Sequence, residues 1–181
     1  MKRTTTQLQQ WLQAEAQNLQ DDQFVQRVVI DSRIVQTGDL FIPFRGEHSN
    51  GHQYVRQAIE DGAVASLWLT DEPNPPTDLP LIFVEDSELA LQQLARAYRE
   101  EIHPVVIGVT GSNGKTSTKD LITATLEPYF KVQKTEGNFN NELGLPLTIL
   151  NLDEDVEVAV LEMGMSDFGE ISFLSKMAKP R

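Results

Sequence analysis

The sequence predicts an α/β protein, with a small N-terminal α/β unit followed by the first part of a parallel-sheet phosphate-loop domain. Three observations carry that expectation. Short apolar runs alternate with amphipathic stretches along most of the chain. The segment VVIGVTGSNGKTSTKDLITATL (105–126) has the strand, glycine-rich loop and helix order of a phosphate-binding loop. A further apolar strand, VEVAVLEM (156–163), carries a carboxylate, Glu162, at its C-terminal end.

The elements follow in order. Residues 4–18 form a helix with Leu8, Trp11 and Leu12 on one side. RVVIDSR (27–33) and GDLFIPF (38–44) are short apolar strands flanked by turn residues. GHQYVRQAIEDGA (51–63) is helical, with Tyr54, Val55, Ala58 and Ile59 on one face and Gly62 as its stop. AVASLWL (63–69) and LIFV (81–84) are strands, separated by the proline-rich loop 70–80. Residues 87–100 are amphipathic through Leu89, Leu91, Leu94, Ala95 and Tyr98. This places a first domain at 1–100 and a joint at 99–104.

The second domain, 101–181, opens with strand 105–109, loop 110–114 and helix 115–126. A strand-like YFKVQK (129–134), a polar loop, the apolar run GLPLTIL (144–150), strand 156–163 and a helix from 169 follow. About three strands make an incomplete sheet of this type. An exposed sheet edge is expected at 156–162, open to non-specific association.

Composition narrows the function classes. The 181 residues are 40% hydrophobic, with 15 basic and 27 acidic side chains and a net charge of −12. Such a surface disfavours nucleic acid, and no basic run offsets it. Without cysteine there is no thiolate nucleophile, disulfide or Cys-based metal site. The N-terminus lacks the apolar stretch of a secretory signal and no segment reaches membrane-spanning length, so the expected setting is soluble and cytoplasmic, without membrane insertion.

The loop departs from the strict phosphate-loop pattern by one place. The pattern requires glycine five residues before Gly114, where this chain has Val109; Gly108 comes one residue too early. Gly111 and Gly114 still let backbone N–H groups turn inward, Lys115 can reach outer phosphates, and Thr116 can hold magnesium. The plainer reading is a surface turn before a helix. Glu162 fits a magnesium ligand at a strand end, or simply a surface carboxylate there. TEGNFNNELGLP (135–146), with three asparagines, suits a polar substrate or serves as a turn.

Taken together, TGSNGKTSTK, GNFNNELGLPLTIL and AVLEMGMSDFGEI resemble the ATP-dependent Mur ligases of peptidoglycan synthesis. The front segment DSRIVQTGDLFIPFRGEHSNGHQYVRQAIEDGA (31–63) is similar to their uridine-nucleotide-binding region. The resemblance implies an ATP- and Mg2+-dependent amide ligase working through an acyl phosphate. It points to the branch that adds D-alanyl-D-alanine to UDP-N-acetylmuramoyl-tripeptide, a monomer when full length. It implies ATP contacts at Thr110, Gly111, Ser112, Asn113, Gly114, Lys115, Thr116 and Ser117, and a metal held by Thr116 and Glu162. Lys115, Glu162, Asn138 and Asn141 would be catalytic. Ser32, Arg33, Gly46, Asn50, Gly51 and His52 would line the uridine site, although His52 also suits a plain core or helix-start histidine. The family commonly reads Asp-Gly-His where this chain has Asn50-Gly51-His52.

The resemblance also implies missing parts. The family continues past this segment with a metal-binding histidine, a carboxylated lysine and a C-terminal domain, so ligase activity is not expected of these 181 residues alone. Competing readings are the sister ligase adding the third residue, a folylpolyglutamate-like ligase, a phosphate-loop kinase, and a non-catalytic binding module.

Overall fold

The computed structural model describes residues 1–20, 23–46 and 49–181. They form two compact units, Met1–Leu94 and Ala95–Arg181.

The first unit is built on a five-stranded sheet. Its strands are β2 (Ala16–Gln17), β4 (Arg27–Val29), β5 (Asp39–Phe41), β6 (Ala65–Leu69) and β7 (Leu81–Val84), in the order β2-β7-β6-β5-β4. All neighbours pair parallel except β2, which lies antiparallel on β7. A separate antiparallel pair joins β1 (Arg3–Thr4) to β3 (Phe24–Val25). Side chains alternate across the sheet. Val29, Phe41, Trp68 and Leu81 pack with Val55 and Ala58 of α2 (Val55–Glu60), while Leu40, Leu67 and Ile82 are fully buried on the other face. Buried Asp39 accepts two bonds from Arg27, its register partner across β4 and β5, at 3.0 and 2.7 Å.

Three helix expectations are corrected. The helix expected over 4–18 is α1 (Thr5–Leu12), stopped where Gln13 turns left-handed at φ 51°. Residues 16–17 then join the sheet edge. The helix expected over 51–63 begins as a 3-10 turn, Gly51–Tyr54, before α2. Three residues per turn rotate the face, and Tyr54 is exposed. In α3 (Ser87–Ile102), Leu91, Leu94, Ala95 and Tyr98 are buried at helical spacing, but Leu89 lies on the opposite side and is exposed.

The second unit holds a parallel sheet of β8 (Val105–Val109), β9 (Val132–Lys134) and β10 (Val158–Glu162), in the order β8-β10-β9. Here β10 is central, which overturns the expected exposed edge at 156–162; β8 and β9 are the edges. Val158 and Val160 pack with Ile122 and Leu126 of α4 (Lys115–Leu126), and Ala159 and Leu161 are buried on the alternate face. The strand expected over 129–134 shrinks to β9, with Tyr129 and Phe130 exposed before it. GLPLTIL forms a buried helix, α5 (Gly144–Leu150), and α6 (Glu170–Ala178) closes the unit. No helix of the described residues is long and apolar enough to cross a membrane.

Candidate functional site

The phosphate-loop region is set by register. Val109 and Glu162 are partners in the parallel ladder of β8 and β10, so the carboxylate emerges level with the start of the loop. This is the C-terminal edge of the sheet, where ligands gather in open α/β folds. Residues Thr110–Gly114 form an exposed loop, with Gly111 at φ 140° and Gly114 at φ 77°, conformations that L side chains rarely adopt. Helix α4 begins at Lys115, and Thr118 N–H closes its first turn on the Gly114 carbonyl at 2.9 Å. The N–H groups before this point are free of the helix ladder, which suits an anion. Lys115 Nζ donates to the Gly111 carbonyl at 2.7 Å, across its own loop. Ser117 is exposed on the first turn.

Glu162 is only 4% exposed. Its Oε2 accepts from Thr116 Oγ1 at 3.0 Å and its Oε1 from Asn140 Nδ2 at 2.9 Å. Among the described residues no cation pairs with it, in contrast to Asp39, 2% exposed, which holds Arg27. A buried carboxylate without a cation is costly. Hard oxygen donors from Glu162 and Thr116 fit magnesium, which is commonly held by one or two carboxylates together with substrate phosphates. No group of three His, Asp or Glu among the described residues forms a complete metal cage.

The asparagines divide differently from the expectation. Asn138 is exposed. Asn141 Oδ1 accepts from Gly144 N–H at 2.8 Å and thereby caps α5. The asparagine that reaches Glu162 is Asn140, which the sequence reading passed over. Gly164 leaves room for it, since a Cβ there would meet the Asn140 side chain at 3.1 Å, a fit that only the folded chain reveals.

In the first unit, the predicted residues follow the C-terminal ends of adjacent strands β4 and β5. Asp31 caps the 3-10 turn Ser32–Ile34 and accepts a forked pair from Arg33, at 2.9 and 2.6 Å. The Arg33 bonds hold the Asp31 carboxyl down at about 2. Ser32 is half-buried, and Gly46 exposed. Gly51 must be glycine, since a Cβ would lie 2.8 Å from the Phe44 carbonyl oxygen and 2.9 Å from its nitrogen.

His52 is a buried, fully engaged ring. Its Nδ1 donates to Asn50 Oδ1 at 2.8 Å, its Nε2 accepts from Leu69 N–H at 3.2 Å, and it meets Trp68 edge-on with centroids 4.9 Å apart. Both nitrogens are therefore committed in the neutral tautomer. Asn50 Nδ2 donates to Glu72 Oε1 at 2.9 Å, a bond that aspartate could not make. Glu72 in turn accepts from Arg45 at 2.7 Å, and Arg45 forks onto Asp71. Arg45 is the main reason that the Glu72 carboxyl titrates below its usual range. Arg45 and Glu72 escaped the sequence reading because each sits in a polar loop and they meet only through folding.

Two predictions arise here. Asn50→Asp sets a carboxylate against Glu72 and breaks the amide bond, costing about 1–3 kcal/mol in urea unfolding at neutral pH. Unchanged stability would show that the Asn50–Glu72 bond contributes nothing. Burial, chiefly, lowers the His52 value below its ordinary 6.5; Glu72 and Asp71 oppose this and Arg45 adds to it. The unfolded chain thus binds this proton more readily than the folded one. Stability from His52 is full above pH 6.5 and is lost as pH falls from there through the lower folded value. An NMR titration of the imidazole with its midpoint at or above 6.5 would contradict the burial argument.

Residues 109–181 match the model of the Mur ligase middle domain, and residues 25–99 that of the Mur ligase family catalytic domain. The two segments together take in well over half of the chain. The chain belongs to the Mur ligase family. Among Mur ligases it is 50% identical over 181 residues to the UDP-N-acetylmuramoyl-tripeptide--D-alanyl-D-alanine ligase of Bacillus subtilis, covering 99% of this chain and 40% of that protein. A crystal structure of MurF from Acinetobacter baumannii superposes with a TM-score of 0.90 at 33% identity, over 99% of this chain and 39% of the other. The MurF ligase of Thermotoga maritima, solved in complex with ADP, gives 0.76 at 39% identity, over 85% of this chain and 35% of the other. The chain therefore spans about two fifths of the length of these Mur ligases.

Proposed function

We propose that this chain is the front part of an ATP-dependent amide ligase that joins D-alanyl-D-alanine to UDP-N-acetylmuramoyl-tripeptide, in the cytoplasm and as a monomer. The observation that carries the reading is the Thr116–Glu162 bond at the mouth of the loop 110–114, at 3.0 Å, with no cation paired to Glu162 among the described residues. Residues 1–100 would take the uridine end of the substrate and 101–181 would begin the ATP domain. In such a reaction ATP phosphorylates the tripeptide carboxylate, the incoming amine attacks the acyl phosphate, and ADP and phosphate leave. Magnesium, when bound, neutralises phosphate charge.

The placement of the chain's own residues supports the following roles. Backbone N–H groups of Thr110–Gly114 and the start of α4 orient phosphate oxygens. Lys115 leaves the Gly111 carbonyl to meet them. Thr116 and Glu162 offer oxygens to the metal, and Asn140 keeps the carboxylate in its rotamer. Ser32 and Arg33, with the loop holding Gly46, Asn50 and Gly51, face the uridine nucleotide; His52 shapes that loop from within. The chemistry needs positioning and charge neutralisation rather than a covalent nucleophile, in keeping with the absence of cysteine.

Calorimetric titration of the 181-residue chain tests the reading, with UDP-N-acetylmuramoyl-tripeptide, UMP and ATP–magnesium as separate ligands. Binding of the uridine-linked peptide is expected. A folded chain that takes ATP–magnesium and ignores every uridine ligand would place it in another phosphate-loop class.

A further inference from the structure

Lys119 lies one helical turn beyond the phosphate loop and is 4% exposed, a rare state for lysine. Its Nζ donates to the Thr135 carbonyl at 2.7 Å. The nearest carboxylate, Asp120, stands at 3.5 Å and is already bonded to Lys134 at 2.7 Å. Thr135 is fully buried just past the end of β9. Its N–H donates to the Val160 carbonyl at 3.0 Å, and its Oγ1 accepts the N–H of Glu162 at 2.9 Å. Thr116 closes the circuit through its 3.0 Å bond to the Glu162 carboxylate. Helix α4 is thus tied to the strand ends at two points, by Thr116 and by Lys119. Residues three apart share one face of a helix.

We propose that Lys119 is a positioning residue for the magnesium–phosphate site, acting through Thr135 on Glu162; this rests on the nucleotide-site reading above. A single tie, Thr116 to Glu162, leaves the first turn of α4 free to pivot about that bond. Packing of Ile122 and Leu126 on β10 sets the depth of the helix, and the second tie fixes the tilt of its first turn. The choice of an ammonium is informative. Filling space beneath a helix calls only for an apolar side chain, and even whole buried ion pairs are often replaced by apolar residues without loss of stability. A long stem ending in a charge-assisted donor instead grips one carbonyl across the interior. That carbonyl belongs to the residue whose hydroxyl holds the backbone of the metal-binding carboxylate.

The test titrates ADP into the 181-residue chain with and without magnesium, for wild type, Lys119→Met and Thr135→Val. Thr135→Val keeps the carbonyl that Lys119 grips and removes the acceptor for Glu162 N–H, so it opens the same circuit elsewhere. Both variants are expected to lose about tenfold or more of the magnesium-dependent gain in affinity, the scale seen when groups supporting a metal ligand are removed. Their magnesium-free ADP affinity falls by less than this, since only the placement of the first turn of α4, and not the carboxylate, serves the phosphates without the metal. If Lys119→Met does not fold, Thr135→Val decides the matter by the same readout. A folded variant with the full magnesium gain would overturn the proposal, as would equal losses with and without the metal. A wild-type chain that binds no ADP would instead overturn the nucleotide site itself, and this proposal with it.

Discussion

Glu162→Gln loses roughly 10–100-fold of the magnesium-dependent gain in ADP affinity, while the folded chain remains as stable as wild type or more so. The two halves of that result come from one geometry. Glu162 is buried, accepts from Thr116 Oγ1 and Asn140 Nδ2, and pairs with no cation among the described residues. A glutamine in the same rotamer turns its carbonyl to Asn140 and its amide to Thr116, whose hydroxyl can accept as readily as donate. Both hydrogen bonds survive, and the desolvated charge disappears. What glutamine lacks is the negative charge that a divalent cation requires. Calorimetry with and without magnesium, beside urea unfolding, measures both halves. Retained magnesium dependence would remove Glu162 from the metal site. Lys115→Met provides the contrast. In the proposed site the ammonium would meet phosphate directly, so its loss is expected to weaken ADP binding in both conditions.

Much of this site was legible before folding because its signals are local. The strand, loop and helix at 105–126 appear at the bounds expected, since an apolar run, two glycines and a helical run each act within a few residues. Glu162 was visible as the acid ending an apolar strand. Its neighbours were not. Asn140 and Asn141 are adjacent in one loop, and nothing in their identity says which would cap α5 and which would reach β10. Similarly, Asn50 looks like a lost charge until Glu72, 22 residues away, is found to need a donor. The position of β10 in its sheet was the largest misreading. Strand order is a property of the crossovers, and a chain read left to right places its latest strand at an edge. Here α4 carries the chain past the central place, which β10 then fills.

Gly144→Ala destabilises the second unit by about 1–3 kcal/mol, the usual cost of forcing extra atoms into a packed interior. Helix propensity alone predicts the opposite, because Gly144 opens α5 and alanine is favoured over glycine by about 1 kcal/mol within a helix. Contact decides the sign. A Cβ on Gly144 would lie 2.5 Å from Phe139 Cα and 2.6 Å from its carbonyl carbon, and backbone cannot swing aside as a side-chain tip can. The loop itself is held in place, for Thr148 Oγ1 bonds both the Gly144 and the Phe139 carbonyls, at 3.0 and 3.3 Å. Relief must therefore come from moving residues 139–141, which carry the amide that steadies Glu162. The substitution should thus lower both the urea midpoint and the magnesium-dependent part of ADP affinity. A higher midpoint would mean that the loop yields freely and that propensity governs this turn. A lower midpoint with unchanged magnesium dependence would separate the packing of α5 from the placement of Asn140.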